Sequence, residues 1–539
     1  MTGVLSGPEA PPRRVQPRHR AGSRAVLEGA GVATALTLAL VAVAHLAITG
    51  RSWVLFSDAD SVLPALLHAS VAAGERQDWA FSSVLFAPEL ALYSVLAALG
   101  LGARGALAAN AVVNLVLLYA ALRTVAALVR PGASRAAQIA GAVAATAAFD
   151  GLTLLDSSPA WDSLELPSLL ATTTYYSATV LAAVLAAGLV AALLGTARRP
   201  APLAVALGGL TAVSAWTNPL FLAWAVLPLA LLAVGWAVVR SIGLRQVARV
   251  LGPLAAGAAA GLAARIPFSA LLVRDPVAYA NPDGALLAVG YTVRLLADRT
   301  ATSAGVASLL AAVALLAAAA VLTVRWSRTG RIAPATVAAF GFVAPAAALL
   351  GSIALGAAAS RYLQPVFFAP VLLLTLVPLP ARVAGLLADV RVRRAVVAAG
   401  AAVALAAAVA LVAVAARPDP AIRCVDDWIT ASGRTGAGLF QTIRGPKAGL
   451  VEPARLVQVD QQLRAEPWLT NRADYAVRSV SFLVIDSATP AFAVPSSAPA
   501  PQVVRCGRYR ILDYGAAVLP VLPAGPIAPP KPPPAAPAE

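Results

Sequence analysis

Charge is what this chain has least of. Asp, Glu, Lys and Arg make up 12% of its 539 residues, while 59% are hydrophobic. Soluble proteins carry about 25% charged residues, and a globule of this length with so few could not cover its own surface. An ordinary soluble enzyme, a disordered chain and a nucleic-acid binder are excluded. Histidine and cysteine are almost missing: His19, His45 and His68, Cys424 and Cys506. They form no CxxC and no Cys/His cluster, which excludes a zinc site.

What is present is a series of apolar runs of about 20 residues, the length that crosses a bilayer core. They are Val26–Thr49, Arg104–Val129, Ala136–Leu155, Ala171–Gly195, Pro202–Thr217, Pro219–Val239, Ala248–Ala264, Ala304–Val324, Ala333–Gly356, Tyr362–Pro380 and Ala395–Ala416. The pattern predicts an α-helical polytopic membrane protein with about eleven spans. The first run is too long for a signal-peptide core and reads as a retained span.

Basic residues set the orientation. Arg13, Arg14, Arg18, Arg20 and Arg24 precede the first span. Arg130/Arg135, Arg198/Arg199, Arg240/Arg245/Arg249, Arg325/Arg328/Arg331 and Arg382/Arg391/Arg393/Arg394 fall on the same side when eleven spans are counted. That places the N-terminus inside and the C-terminus outside. The acids were not used to set this orientation, yet only Glu9, Glu28 and Asp389 fall on the inner side. The net charge of +16 therefore speaks of membrane orientation. The stretch Ser82–Gly100 would invert every later loop if it crossed, so it is expected as a helix on the outer surface, interrupted at Pro88.

The chain divides into a basic tail (1–25), a membrane domain (26–417) with outer loops 50–103, 156–170 and 265–303, an extracytoplasmic α/β domain (418–514) and a Pro/Ala-rich disordered tail (515–539). In the α/β domain, strands are expected at Arg455–Asp460, Val480–Asp486 and Tyr509–Asp513, and helices within Asp427–Thr442 and Gln461–Arg478. Cys424 and Cys506 bracket this domain in an oxidising compartment, where a disulfide is expected.

The chemistry-bearing residues lie on the outer side. Asp58 and Asp60 follow the first span, ahead of an expected surface helix Ser61–Ala73. Asp60 fits an N-cap; alternatively either acid is a general base or metal ligand held at the membrane surface. Asp156, Asp162 and Glu165 stand in the second loop. Arg361 precedes the tenth span, as an interfacial anchor or a phosphate ligand. Arg265, Arg274, Arg294 and Arg299 of the third loop offer further phosphate contacts. Trp53, Trp79 and Trp161 read as interfacial aromatics or sugar-stacking platforms, and His68 as an interfacial residue. Asp150 would be a costly buried acid unless paired.

The order of basic tail, first span, Asp58-Ala-Asp60 loop, two surface helices and Arg104 opening the second span resembles the GT-C superfamily of integral-membrane glycosyltransferases. Pro64-Ala-Leu-Leu-His68, Pro88-Glu-Leu-Ala-Leu-Tyr93 and Leu99-Gly-Leu-Gly-Ala-Arg104 carry that likeness. Ser360-Arg361-Tyr362-Leu363-Gln364-Pro365 is similar to the family's Arg-Tyr-x-x-Pro pattern, and Val457–Gln461 with Trp468–Arg472 and Tyr475 is similar to the small outer domains of bacterial members. The resemblance implies an inverting sugar transfer at the outer face of a bacterial cytoplasmic membrane. It implies a polyprenyl-phosphate-linked donor and an envelope glycan or protein acceptor. It carries the catalytic acid onto Asp58 or Asp60, supporting acids onto Asp156, Asp162 and Glu165, and lipid-phosphate binding onto Arg361 and Arg265. The chain departs from the pattern where Ala59 replaces the usual Glu and where Asp162 and Glu165 stand three apart. Whether a divalent metal takes part is left open. The competing class is a transporter or flippase for a lipid-linked or small polar substrate, which requires ionisable groups at mid-span and broken helices.

Overall fold

The computed structural model describes residues 19–160, 162–195, 200–273, 280–378 and 390–525. Trp161, Arg274, Arg198, Arg199, Arg382, the first basic residues up to Arg18 and the end of the Pro-rich tail lie outside them. The membrane part is built from α1 (His19–Ile48), α2 (Ser52–Phe56), α3 (Leu63–Ala72), α4 (Ala87–Ala97), α5 (Gly102–Val129), α6 (Arg135–Thr153), α7 (Ser177–Leu194), α8 (Pro200–Thr217), α9 (Leu227–Val238), α10 (Leu244–Ala263), α11 (Ala285–Thr300), α12 (Ser303–Arg328), α13 (Ile332–Ala354), α14 (Pro365–Val371) and α15 (Val390–Ala416). Among the described residues, eight helices are long and apolar enough to cross a membrane: α1, α5, α7, α8, α10, α12, α13 and α15.

The other three expected spans fall below that length and apolar character, for separate reasons. Helix α6 has the length, 19 residues, but Gln138, Thr146 and Asp150 dilute its apolar character. The sixth run reaches only Leu222–Val238 and opens on a π-helical turn, Leu222–Val226. The tenth breaks into α14 followed by a 3-10 turn, Leu372–Thr375. The fourth span starts late, because Thr172–Tyr176 is irregular and α7 begins only at Ser177.

Packing follows small residues. Helices α8 and α10 lie so close that a side chain at Gly257 or Gly261 would strike the main chain of Gly208 or Ala212, the approach that apolar helices use when water does not drive them together. On the outside, Val397, Leu405, Val409 and Val412 of α15 and Leu310, Val313 and Val321 of α12 are exposed. An apolar exterior of this extent suits lipid.

Helix α4 is 11 residues long, about 16 Å, too short to cross. Pro88 sits in its first turn and starts it; the expected interruption is absent, since proline at that position gives up a hydrogen bond the helix never makes.

The C-terminal domain contains a five-stranded sheet. Its strands in spatial order are Leu456–Gln458, Gly436–Gly438, Phe482–Ile485, Tyr509–Asp513 and Gln502–Cys506; the first three run parallel and the last two are antiparallel additions. Helices α16 (Pro420–Ser432) and α17 (Phe440–Gly449) accompany it. Two expected helices are corrected. Asp427–Thr442 is split by Gly433, which ends α16 at φ 64°, and by the strand Gly436–Gly438. Gln461–Arg478 holds no α-helix: Leu463 and Leu469 have positive φ, Pro467 lies between them, and only a 3-10 turn forms, Arg472–Ala476. The domain also continues past Tyr514, since Leu519–Pro520 pairs with Ser479–Val480. Cys424 and Cys506 form the expected disulfide, closing a loop of 82 residues.

Candidate active site

The connections after α1, α6, α10, α13 and α15 contact one another. Trp79–Ala80 pairs with Thr470–Asn471 of the C-terminal domain. The Phe81 amide donates to the Leu271 carbonyl, and Leu85 and Ala87 bond to Thr217. All the outer loops predicted from sequence therefore meet at one end of the helical bundle. Trp79, expected at a lipid interface, is instead buried in this seam, its Nε1 donating to Gln77 Oε1 at 2.7 Å.

Asp58 lies at the centre of that end. It is 1% exposed, and its Oδ2 accepts from the Ser61 amide at 3.0 Å, the Ser61 hydroxyl at 3.1 Å and the Tyr175 hydroxyl at 3.1 Å. The local reason is the turn Asp58–Ser61: an Asp side chain bonds the amide three residues on and fixes the chain entering α3. Of the two readings for Asp60 the N-cap does not hold, because α3 begins at Leu63 after Val62 and has no side-chain cap; Asp58 holds the turn instead. Burial, followed by the nearby charge of Asp60, pushes the Asp58 carboxyl up to about 6, while the bonds from Ser61 and Tyr175 pull it down. Oδ1 accepts no hydrogen bond among the described residues, which leaves it as the oxygen able to take a proton.

Asp60 is half-buried and lies in the field of two cations. One is Arg361, attracted to Asp60 and surrounded by Tyr175, Tyr176 and Tyr362. Its segment is clamped: Ser360 donates its amide to the Tyr291 hydroxyl at 2.7 Å, and Gln364 donates to the Tyr175 carbonyl at 3.1 Å. The other is Arg444 of α17, fully buried, whose Nε donates to the Ala59 carbonyl at 2.6 Å and whose Nη1 donates to the Leu469 carbonyl. Burial lowers Arg444 to about 10, against the pull of Asp60 and Asp58. Its other terminal nitrogen is buried without a partner.

A row of aromatic rings leads away from Arg361. Phe86 stacks on Tyr176 at 6.4 Å, Tyr176 meets Trp224 edge-on at 5.8 Å, and Trp224 meets Phe368 at 5.9 Å. Trp224 donates to the Tyr362 carbonyl at 3.2 Å. Phe86 and Tyr176 both adopt left-handed backbone, φ 52° and 70°, a conformation bulky side chains tolerate only where surroundings impose it. Glu89, in the first turn of α4, is buried and accepts from the Ala178 amide at 3.3 Å; burial pushes its carboxyl up to about 7.

No protein-family model matches this chain, and no curated protein shows significant similarity to it.

The second-loop acids do not join Asp58. Arg299 Nη2 pairs with Asp156 at 2.8 Å and its Nη1 with Glu165 at 2.9 Å. Arg51 lies 3.7 Å from Glu165 and donates to Ser168 Oγ at 2.8 Å. Burial pushes Asp156 up to about 6, and Arg51 and Arg299 oppose it. These acids thus neutralise two buried arginines and brace the loop. Asp162 accepts from the Tyr291 hydroxyl and lies 3.6 Å from Arg294; through Tyr291 it reaches the amide of Ser360, next to Arg361. Arg265 is buried, and it donates to the carbonyls of Trp216 at 2.7 Å and Ser83 at 2.5 Å. Its role here is to tie the first loop to α8. His68 packs edge-on to Tyr93. Asp150 is buried with both oxygens unpartnered.

Among the described residues no group of three or more His, Cys, Asp and Glu is placed to hold a metal ion. Asp58 and Asp60 could supply two oxygens to a divalent cation, with substrate or water completing the shell.

Proposed function

We propose that the protein is a membrane glycosyltransferase of the GT-C type, moving a sugar from a polyprenyl-phosphate donor to an envelope glycan or protein outside a bacterial cytoplasmic membrane. One observation carries this reading: where the helical bundle ends, Asp60 interacts electrostatically with Arg361, Tyr175 bonds Asp58 and also lies in the field of that arginine, and Arg444 of the C-terminal domain holds the loop between the two aspartates. Asp58 Oδ1 takes the proton of the acceptor hydroxyl. The hydroxyl oxygen bonds to the anomeric carbon with inversion as the bond to the phosphate oxygen breaks. The departing polyprenyl phosphate keeps that electron pair, and its charge needs a cation more than a proton. Arg361 is the cation, and its planar fork matches a phosphate. The aromatic row beside it suits an isoprenoid tail or a sugar face. A base with a carboxyl near 6 is ionised at neutral pH yet basic enough to share a proton in the transition state.

The direct genetic test replaces Asp58→Asn and Asp60→Asn, singly and together, in a deletion strain, scored for the glycan product. Loss of product supports the reading; full product in all three strains contradicts it. One observation favours a transporter or flippase instead, namely the unpartnered Asp150 in α6, since an intramembrane acid marks transport pathways. Loss of function in Asp150→Asn with full function in both loop variants would select that reading.

A further inference from the structure

A cavity of about 400 Å³ opens on the far side of the Asp58 loop, where the first turn of α5, the end of α15 and helices α16 and α17 meet. Both α5 and α15 are long and apolar enough to cross a membrane. The cavity therefore lies at the level where two spans end, which in a bilayer is headgroup depth.

Its lining divides by chemistry. Phe56, Val62, Ala65 and Leu107 form an apolar wall, while Arg104, Arg417 and Arg423 supply three guanidinium groups. Arg104 is held over the Phe56 ring at 4.2 Å, and its Nε is buried without a hydrogen-bond partner. Two acids share the lining, Asp419 and Asp426. Asp419 is already engaged: Oδ1 accepts from the Ala421 amide at 3.0 Å to cap α16, and Oδ2 pairs with Arg508 at 2.7 Å. Asp426 lies near the Val451 amide and the like charge of Asp427. Cations exceed uncommitted acids, and the N-terminus of a 28-residue helix adds the partial positive charge of its unpaired amides.

We propose that this cavity binds the phosphate headgroup of an anionic membrane lipid, at a site separate from Asp58 and Arg361. The headgroup sits among the three arginines and the start of α5, and the acyl chains follow the apolar wall toward the bilayer. Because α16 and α17 form one side of the cavity and α5 the other, the lipid braces the C-terminal domain on the membrane part. Arginines at span ends also act as plain interfacial anchors, and a bare anion could use the same groups; the test separates these.

Native mass spectrometry of the full-length protein compares retention of phosphatidylglycerol and phosphatidylcholine. A preference for phosphatidylglycerol is expected. It should survive Arg361→Gln and fall by about tenfold or more in the Arg104→Gln/Arg423→Gln double variant, as loss of two charge-assisted contacts implies. Ala416→Trp, an exposed cavity-lining position, fills the space without altering charge and should also reduce retention. Inorganic phosphate at millimolar concentration should leave the lipid in place. An unchanged preference in both the double variant and Ala416→Trp would overturn the proposal. So would a preference lost only in Arg361→Gln, or full displacement by inorganic phosphate.

Discussion

Asp58 is acted on by neighbours that pull its acidity in opposite directions, and this makes its assigned role measurable. Tyr175 donates to the ionised carboxylate and lowers its pKa, while burial first and then the charge of Asp60 raise it. A general base works only when ionised, so activity should fall as pH drops through about 6. Tyr175→Phe removes a donor to the charged form and should move that acid limb upward by about one unit, the scale of one charge-assisted bond. Asp60→Asn removes a like charge and should move it downward. The pH dependence of kcat/KM checks both; two shifts of the same sign would contradict the assignment. The aspartate pair was legible in the sequence because it follows the first apolar run directly. Tyr175 and Arg444 were not, since they reach the loop from 117 and 385 residues away, a proximity no local pattern encodes. The cap differs for a local reason: the Asp58 side chain takes the Ser61 amide in a turn ahead of the helix, and the Val62 and Leu63 amides are met by the main-chain carbonyls of Asp58 and Asp60.

Among elements, the second loop shows why acid residues alone do not define a site. Asp156 and Glu165 were expected among the supporting acids of the second loop, and the partner that holds them, Arg299, lies on α11, 143 and 134 residues away. Breaking a buried ion network by removing one member leaves charges uncompensated and costs about 3–5 kcal/mol. Arg299→Met should lower the apparent melting temperature accordingly. Burial raises the pKa of Asp156 in the fold to about 6; its stabilising contribution is complete below its unfolded value and is lost as pH rises through 6. Removing Arg299 raises it further, so the deficit should be larger at pH 8 than at pH 5, as thermal unfolding at the two pH values would report. The long spans were legible because twenty apolar residues leave little choice of structure. The broken ones were not: Pro365 and Pro370 fit an apolar run in composition, yet α14 has only 7 residues. In the C-terminal domain, Leu463 and Leu469 carry helical composition but left-handed backbone.

At the scale of the molecule, the C-terminal domain belongs to the site. Arg444 holds the Ala59 carbonyl between the two aspartates, and the strand Thr470–Asn471 pairs with the first loop. If Asp58 and Asp60 carry the proposed chemistry, Arg444 acts as a positioning residue: Arg444→Gln should lower kcat by about tenfold or more with KM for the donor little changed, and Arg444→Lys should restore part of it. A domain that merely tethers a partner would show neither effect. The plan of long apolar helices followed by a small α/β domain could be read from where charge is absent. The closure of that domain over the Asp58 loop could not, because the seam uses backbone carbonyls and short strands that leave no pattern in composition. The most direct test of the account uses purified full-length protein with a panel of polyprenyl-phosphate-linked hexoses and pentoses, following release of polyprenyl phosphate. Release from at least one donor is expected, with the rate reduced by a factor of about 100 or more in Asp58→Asn. Wild-type rates in both Asp58→Asn and Asp60→Asn, or no release from any donor, would contradict it.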